Sequence, residues 1–217
     1  MRLGLFGGSF DPVHYGHLLL AECCREQCRL DEVWFLPAAT PPHKQTRELT
    51  PAAQRIEMLE LAIGGQTSFK VCRAEIERGG VSYTVDTLAQ LTHEDGGRQL
   101  FFLLGADSLE DLPHWREPAK ICQLATLVVV GRPSAPPPNY APLTTLVTPE
   151  RLEEIRRHQV EMPPIGLSSR EIRQRVAAGS SIRYRTPRAV EKFVESQQLY
   201  RTPNSASTAT AAKPESC

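Results

Sequence analysis

Five apolar residues in succession, Leu100-Phe101-Phe102-Leu103-Leu104, constrain the fold more than any other feature of the chain. A strand with one wet face alternates polar and apolar side chains. An unbroken apolar run therefore reads as a strand covered on both faces, as in a parallel sheet flanked by helices. Residues 124–130 give a second such run, and residues 2–6, 31–37 and 69–72 give three more strands. Between them lie segments with helical spacing. One runs from 16 to about 29 and places Leu18, Leu19, Ala21 and Cys24 among its apolar positions. Another starts at Thr50-Pro51, read as N-cap and first helical residue. It carries Ile56, Leu59, Ala62 and Ile63 and stops at Gly64-Gly65. A third spans 84–94, with Val85, Leu88 and Leu91. Strands alternating with helices imply right-handed βαβ units. The expected class is α/β, with a doubly wound, mostly parallel sheet, and ligands bind such sheets at the carboxyl ends of the strands, near the topological switch point.

Beyond the last long strand, residues 131–142 read as a Pro-rich loop and 144–147 as one more short strand. Residues 168–178 form a helix with Ser168 and Glu171 at capping-box spacing. Thr186-Pro187 repeats the N-cap and Pro start for a last helix ending near Gln198. The chain is thus expected to fold as one domain over 1–200, with a small helical C-terminal part at about 149–200. Residues 201–217, poor in bulky apolar side chains, are expected to be a disordered tail.

Lys plus Arg equals Asp plus Glu at 25 each, so no whole-chain field draws nucleic acid or an anionic membrane. No apolar run approaches the ~18 residues a transmembrane helix needs. No export signal precedes the first strand, which implies the cytoplasm and free thiols for Cys23, Cys24, Cys28, Cys72, Cys122 and Cys217. Cys24 and Cys28 stand one helical turn apart, but no CxxC pair accompanies them.

The segment richest in chemistry is Gly7-Gly8-Ser9-Phe10-Asp11-Pro12-Val13-His14-Tyr15-Gly16-His17. It closes the first strand and opens the first helix. Glycines admit close backbone approach, and N–H groups at a helix start attract phosphate. His14 and His17, three apart, face the same way in a first helical turn, and Gly16 between them leaves room above the turn for a base or ribose. Zinc is disfavoured, because helical zinc histidines usually stand four apart with a Glu between. A second segment, Gly166-Leu167-Ser168-Ser169-Arg170-Glu171-Ile172-Arg173, offers hydroxyls at a helix start and a guanidinium one turn in. A capping Ser168 and a solvated Arg173 would explain that segment equally well.

Gly-Ser-Phe-Asp-Pro-x-His-x-Gly-His followed far downstream by Ser-Ser-x-x-Ile-Arg resembles the HxGH nucleotidyltransferases. Within them the chain is similar to bacterial nicotinate-nucleotide adenylyltransferase over roughly residues 1–200. The resemblance implies a Rossmann-like nucleotidyltransferase fold and attack by the 5′-phosphate of nicotinate mononucleotide on the α-phosphorus of ATP. It assigns catalysis to His14, His17, Lys44 (in Pro41-Pro42-His43-Lys44), Ser168 and Arg173. ATP would be met by Gly7, Gly8, Ser9, Phe10, Gly105, Asp107 and Ser169. Nicotinate mononucleotide would be met by Ser82, Tyr83 and Thr84, by Trp115 stacked on the pyridine ring, and by Arg132. Mg²⁺ would enter with ATP, held by its oxygens and water rather than by protein ligands. Arg170 stands where the family often has Thr. Two rivals are pantetheine-phosphate adenylyltransferase, which shares the first motif, and a non-catalytic nucleotide sensor. The Ser82–Leu88 segment, Trp115 and the Lys44 loop favour the pyridine substrate over the first, and the complete set of His14, His17, Lys44 and Arg173 argues against the second.

Overall fold

The computed structural model describes residues 1–41, 49–131 and 136–201. Six strands among them form one sheet: β1 (Arg2–Gly8), β2 (Glu32–Pro37), β3 (Phe69–Val71), β4 (Gln99–Gly105), β5 (Thr126–Gly131) and β6 (Gln159–Glu161). Their order is β3-β2-β1-β4-β5-β6, and every pairing is parallel. The apolar run in β4 is divided between two cores. Phe101 and Leu103 join β1, β2, α1 (Tyr15–Gln27), α2 (Ala52–Ile63) and the C-terminal helices α8 (Ser169–Ala177) and α9 (Arg188–Ser196) on one face. Leu100, Phe102 and Leu104 join α4 (Thr84–Glu94), α5 (Ala106–Asp111), α6 (Pro118–Leu124) and α7 (Pro149–Arg157) on the other. The lack of alternation has the physical cause the sequence suggested, since each face of β4 meets helices.

β1 lies between β2 and β4, so the winding reverses there and the gap at the carboxyl ends of β1 and β4 is the switch point. Gly7 and Gly8 end one strand and Gly105 the other.

Several local expectations are corrected. Residues 144–147 are not a strand: Leu146 and Val147 donate their N–H groups back to the Leu143 carbonyl, continuing a turn. The C-terminal part is not only helical, because Gln159–Glu161 adds the sixth strand. Neither Thr50 nor Thr186 caps a helix; Pro51 and Pro187 occupy those positions. Ser168 does cap, accepting from the Glu171 N–H at 3.1 Å. The short helices α3 (Ala74–Arg78) and α6 had no clear sequence signal. The tail expectation for 202–217 falls outside the described residues.

Arg55, on α2, is 1% exposed and ties three segments together. Its guanidinium donates to the carbonyls of Ser9 (3.0 Å), Ala38 (2.8 Å) and Thr50 (2.8 Å). A buried charge is tolerable only with its donors met. Arg55→Met should therefore lower the unfolding free energy by about 3 kcal/mol or more, because three carbonyls lose their donor at once. Urea unfolding of the two proteins checks this.

Candidate active site

Two clefts open on the switch point and share Ser9. The first, about 510 Å³, is lined by His14, Gly16, His17 and Gly105, and by Ser168, Ser169, Arg170 and Arg173 across the gap. The second, about 330 Å³, is lined by Gly7, Gly8, Ser82, Tyr83, Thr84 and Trp115, with the buried carboxylate of Glu75 and the side chains of His114 and Arg116. A larger hollow of about 600 Å³ lies among the C-terminal helices, between Val176 and Glu195, and holds none of the predicted residues.

The histidines stack face to face, with ring centroids 3.7 Å apart and planes 20° from parallel. His14 is the N-cap of α1, and its backbone N–H donates to His17 Nδ1 at 3.2 Å. A ring nitrogen that accepts leaves the proton on its partner, so His17 carries its proton on Nε2. The edge of Phe10 meets the His17 ring at 5.1 Å, which fixes its other side. His14 is only 6% exposed, with Nδ1 buried and without a hydrogen-bond partner among the described residues. Burial pushes its pKa down to about 4, so it is uncharged at neutral pH. Gly16 has a different use from the one expected. A Cβ there would sit 3.0 Å from His14 Cε1 and Nδ1, so the space is filled by the imidazole rather than kept for a base. Gly8 is similar: its Cβ would stand 2.9 Å from the Phe10 ring.

The loop before His14 is held from the far end of the chain. Three successive carbonyls accept from C-terminal side chains: Asp11 from Arg173 Nη1, Pro12 from Ser169 Oγ at 2.8 Å, and Val13 from Thr186 Oγ1 at 2.8 Å. Tyr200 adds its hydroxyl to Asp11 Oδ1 at 2.7 Å, and the Tyr15 N–H donates to the Arg185 carbonyl at 3.2 Å. The first N–H of α1 is thus engaged by protein, contrary to the expectation that it waits for phosphate. Thr186, Tyr200 and Arg55 were missed in the sequence. No local pattern marks the contacts of Thr186 and Tyr200, 173 and 189 positions away, or those of Arg55 to two other loops.

The structure brings most of the predicted set to the two clefts, with exceptions. Phe10, expected beside ATP, is 1% exposed and packs between Phe6, Phe35 and His17. Gly7 and Gly8, also expected beside ATP, line the second cleft instead. Asp107 is exposed on the first turn of α5 and lines neither cleft. Ser82 lines the second cleft while its Oγ accepts from the Ala39 N–H at 2.8 Å, tying two loops. Trp115 is half-buried, its ring edge-on to Phe102 at 6.0 Å, with Nε1 buried and without a hydrogen-bond partner among the described residues. Arg116 lies 4.8 Å over the Tyr83 ring. Lys44 and Arg132 lie outside the described residues.

The switch point thus gathers stacked histidines and a serine-arginine helix start in one cleft and aromatic side chains in a second that adjoins it. The chain belongs to the cytidylyltransferase-like family, whose model matches residues 5–175. A protein of Thermus thermophilus is 45% identical over 201 residues, covering 93% of this chain and all of its own length; one of Thermomicrobium roseum is 44% identical over 201 residues, covering 93% and 92%. Both are named "Probable nicotinate-nucleotide adenylyltransferase". Among solved structures, the nicotinic acid mononucleotide adenylyltransferase of Plasmodium falciparum complexed with NaAD shares the fold, with a TM-score of 0.71 at 17% identity, covering 92% of this chain and 97% of that one.

The depressed His14 pKa has a consequence for stability. Unfolded His14 takes up a proton below pH 6.5, whereas in the folded chain it does so only near 4. Acid therefore favours the unfolded state across that window, and the contribution is complete only above 6.5. The unfolding free energy should fall by on the order of 2–3 kcal/mol more between pH 7 and 4.5 in the native protein than in His14→Gln. Paired urea titrations at the two pH values measure the difference, and equal falls would remove the buried neutral imidazole from the account.

Proposed function

We propose that this chain transfers the adenylyl group of ATP to nicotinate mononucleotide, giving nicotinate adenine dinucleotide and pyrophosphate in NAD biosynthesis. The observation that carries the reading is the pair of clefts that meet at Ser9, one basic and histidine-lined, the other aromatic. The triphosphate of MgATP occupies the first, and the pyridine ring of the mononucleotide occupies the second. Their phosphates meet at the shared wall.

An oxygen of the mononucleotide phosphate bonds to the α-phosphorus, and the bond from that phosphorus to the bridging oxygen of pyrophosphate breaks. The attacking phosphate is already ionised, so no side-chain nucleophile or general base is needed. The barrier lies in bringing like charges together in line. Fixing that geometry supplies roughly 7–11 kcal/mol. His17 Nε2–H donates to the α-phosphate as its charge builds, and His14 supports it from beneath by stacking and by its backbone hydrogen bond. Such a donor contributes about 3–4 kcal/mol. Ser168, Arg173 and Lys44 steady the leaving pyrophosphate. Mg²⁺ arrives on ATP and neutralises phosphate charge, and Asp107 takes no direct part. Thr84 and the start of α4 meet the nicotinate carboxylate, and Trp115 stacks on the ring for about 0.5–1.5 kcal/mol. Arg132 meets the mononucleotide phosphate. We place the reaction in the cytoplasm, in keeping with the free thiols of Cys23, Cys24, Cys28, Cys72 and Cys122. Among the described residues no helix is long and apolar enough to cross a membrane.

Purified protein incubated with MgATP should release pyrophosphate with nicotinate mononucleotide and not with phosphopantetheine. Release with phosphopantetheine alone would move the activity to the rival enzyme, and release with neither would support the sensor. His17→Ala should cut kcat by on the order of 100- to 1,000-fold, with the fold intact by circular dichroism. Trp115→Ala should raise KM for the mononucleotide by about 2- to 10-fold and leave KM for ATP within a factor of two.

A further inference from the structure

The C-terminal turn bends sharply to return one side chain to the histidine loop. α9 ends at Ser196, and just beyond it Gln198 and Tyr200 both lie in the left-handed region, at φ 51 and 64. Residues with side chains are disfavoured there unless their surroundings hold them. Tyr200 packs its ring against the core shared by α1 and α8, and its hydroxyl donates to Asp11 Oδ1 at 2.7 Å. Asp11 is 1% exposed and opens the stretch Asp11-Pro12-Val13-His14 that leads into α1. A carboxylate so buried depends on the donors and cations around it. Arg55 acts electrostatically on both Asp11 and Tyr200, and Arg173 holds the Asp11 carbonyl. The phenol stays a donor at neutral pH, because burial and the neighbouring carboxylate push its pKa well above the usual tyrosine value. Tyr200 lines neither cleft, so its hydroxyl acts on the site through Asp11.

We propose that Tyr200 is a positioning residue for His17: its hydroxyl, through the buried Asp11 carboxylate, fixes the loop whose His14 N–H sets the plane and tautomer of the His17 ring. The inference rests on the activity proposed above and adds to it a residue outside both clefts. A tie that served stability alone would change how much enzyme is folded and leave each folded molecule as active as before. The two roles are therefore separable in the folded protein.

The test compares the native enzyme with Tyr200→Phe, which keeps the ring and removes the donor, by steady-state kinetics and by nitrogen-15 NMR of the labelled histidines. Tyr200→Phe should lower kcat by about 5- to 50-fold, since a small displacement of a catalytic donor costs rate steeply. KM for ATP and for the mononucleotide should both stay within about 2-fold, because the lost interaction belongs to the transition state. In the His17→Ala background the same substitution should change kcat by less than about 2-fold, because the group it positions is gone. The NMR signal of His17 should move from a single neutral form protonated on Nε2 towards a mixture of tautomers. Asp11→Asn keeps an acceptor, drops the charge and reads the same tie from its other end if Tyr200→Phe does not fold; it should show the same division between kcat and KM. An unchanged kcat or an unchanged His17 signal in Tyr200→Phe would overturn the proposal. Equal-fold losses of kcat with and without His17 would show a structural role and also overturn it. A native enzyme that turns over no nicotinate mononucleotide would overturn the activity instead, and the His17 signal would still decide the role of Tyr200.

Discussion

Three adjacent carbonyls, at Asp11, Pro12 and Val13, are held by side chains of residues 169–186, and the geometry of the histidine pair depends on that strap. The loop they belong to is short and carries a non-glycine residue in the left-handed region, Phe10 at φ 46. Such a backbone persists where its surroundings over-determine it. Below, the Phe10 ring is locked over Gly8 and against Phe6 and Phe35. Above, Arg173, Ser169 and Thr186 fix the carbonyls, and Arg55 holds Ser9 from the side. The two imidazoles then have one arrangement open to them. His14 lies in the space that Gly16 vacates, and its backbone N–H sets the tautomer of His17.

In the proposed mechanism the two imidazoles therefore have unequal roles. His14 is too buried to serve as a charged group, and its lowered pKa keeps it neutral. Its contribution is to present His17 in a fixed plane with the donor proton on a defined atom. A preorganised donor spends little reorganisation as charge develops, which is where electrostatic catalysis gains most. The C-terminal segment therefore meets the first cleft in two ways. Ser168 and Arg170 face the first cleft, Thr186 acts through the backbone of the loop, and Ser169 and Arg173 do both.

Much of this was legible in the sequence, and the parts that were not share a cause. The uninterrupted run at 100–104 announced a strand between two helix layers, and the two cores divide it residue by residue. The motif from Gly7 to His17 pointed to the switch point where the structure places it, because a short segment between a strand and a helix needs no long-range information. Roles that depend on distant partners were hidden. Thr186 beside Pro187 has the local signature of a helix cap, yet its hydroxyl goes to Val13. Arg55 was not singled out in the sequence, yet it is fully buried. Gly16 looked like room for a ligand because the sequence does not say where the His14 ring will lie. The strand at Gln159–Glu161 was missed since three residues with one apolar side chain carry too little periodicity, and only its pairing with β5 defines it.

In the proposed mechanism His17 offers a protonated Nε2 to the α-phosphate because its Nδ1 accepts from the His14 backbone. Nitrogen-15 NMR of histidine-labelled protein at neutral pH measures this directly. The expected result is a neutral His17 with the proton on Nε2, and a shift of that resonance when a non-hydrolysable ATP analogue binds. A His17 protonated on Nδ1, or an Nε2 resonance that ignores the analogue, would contradict it.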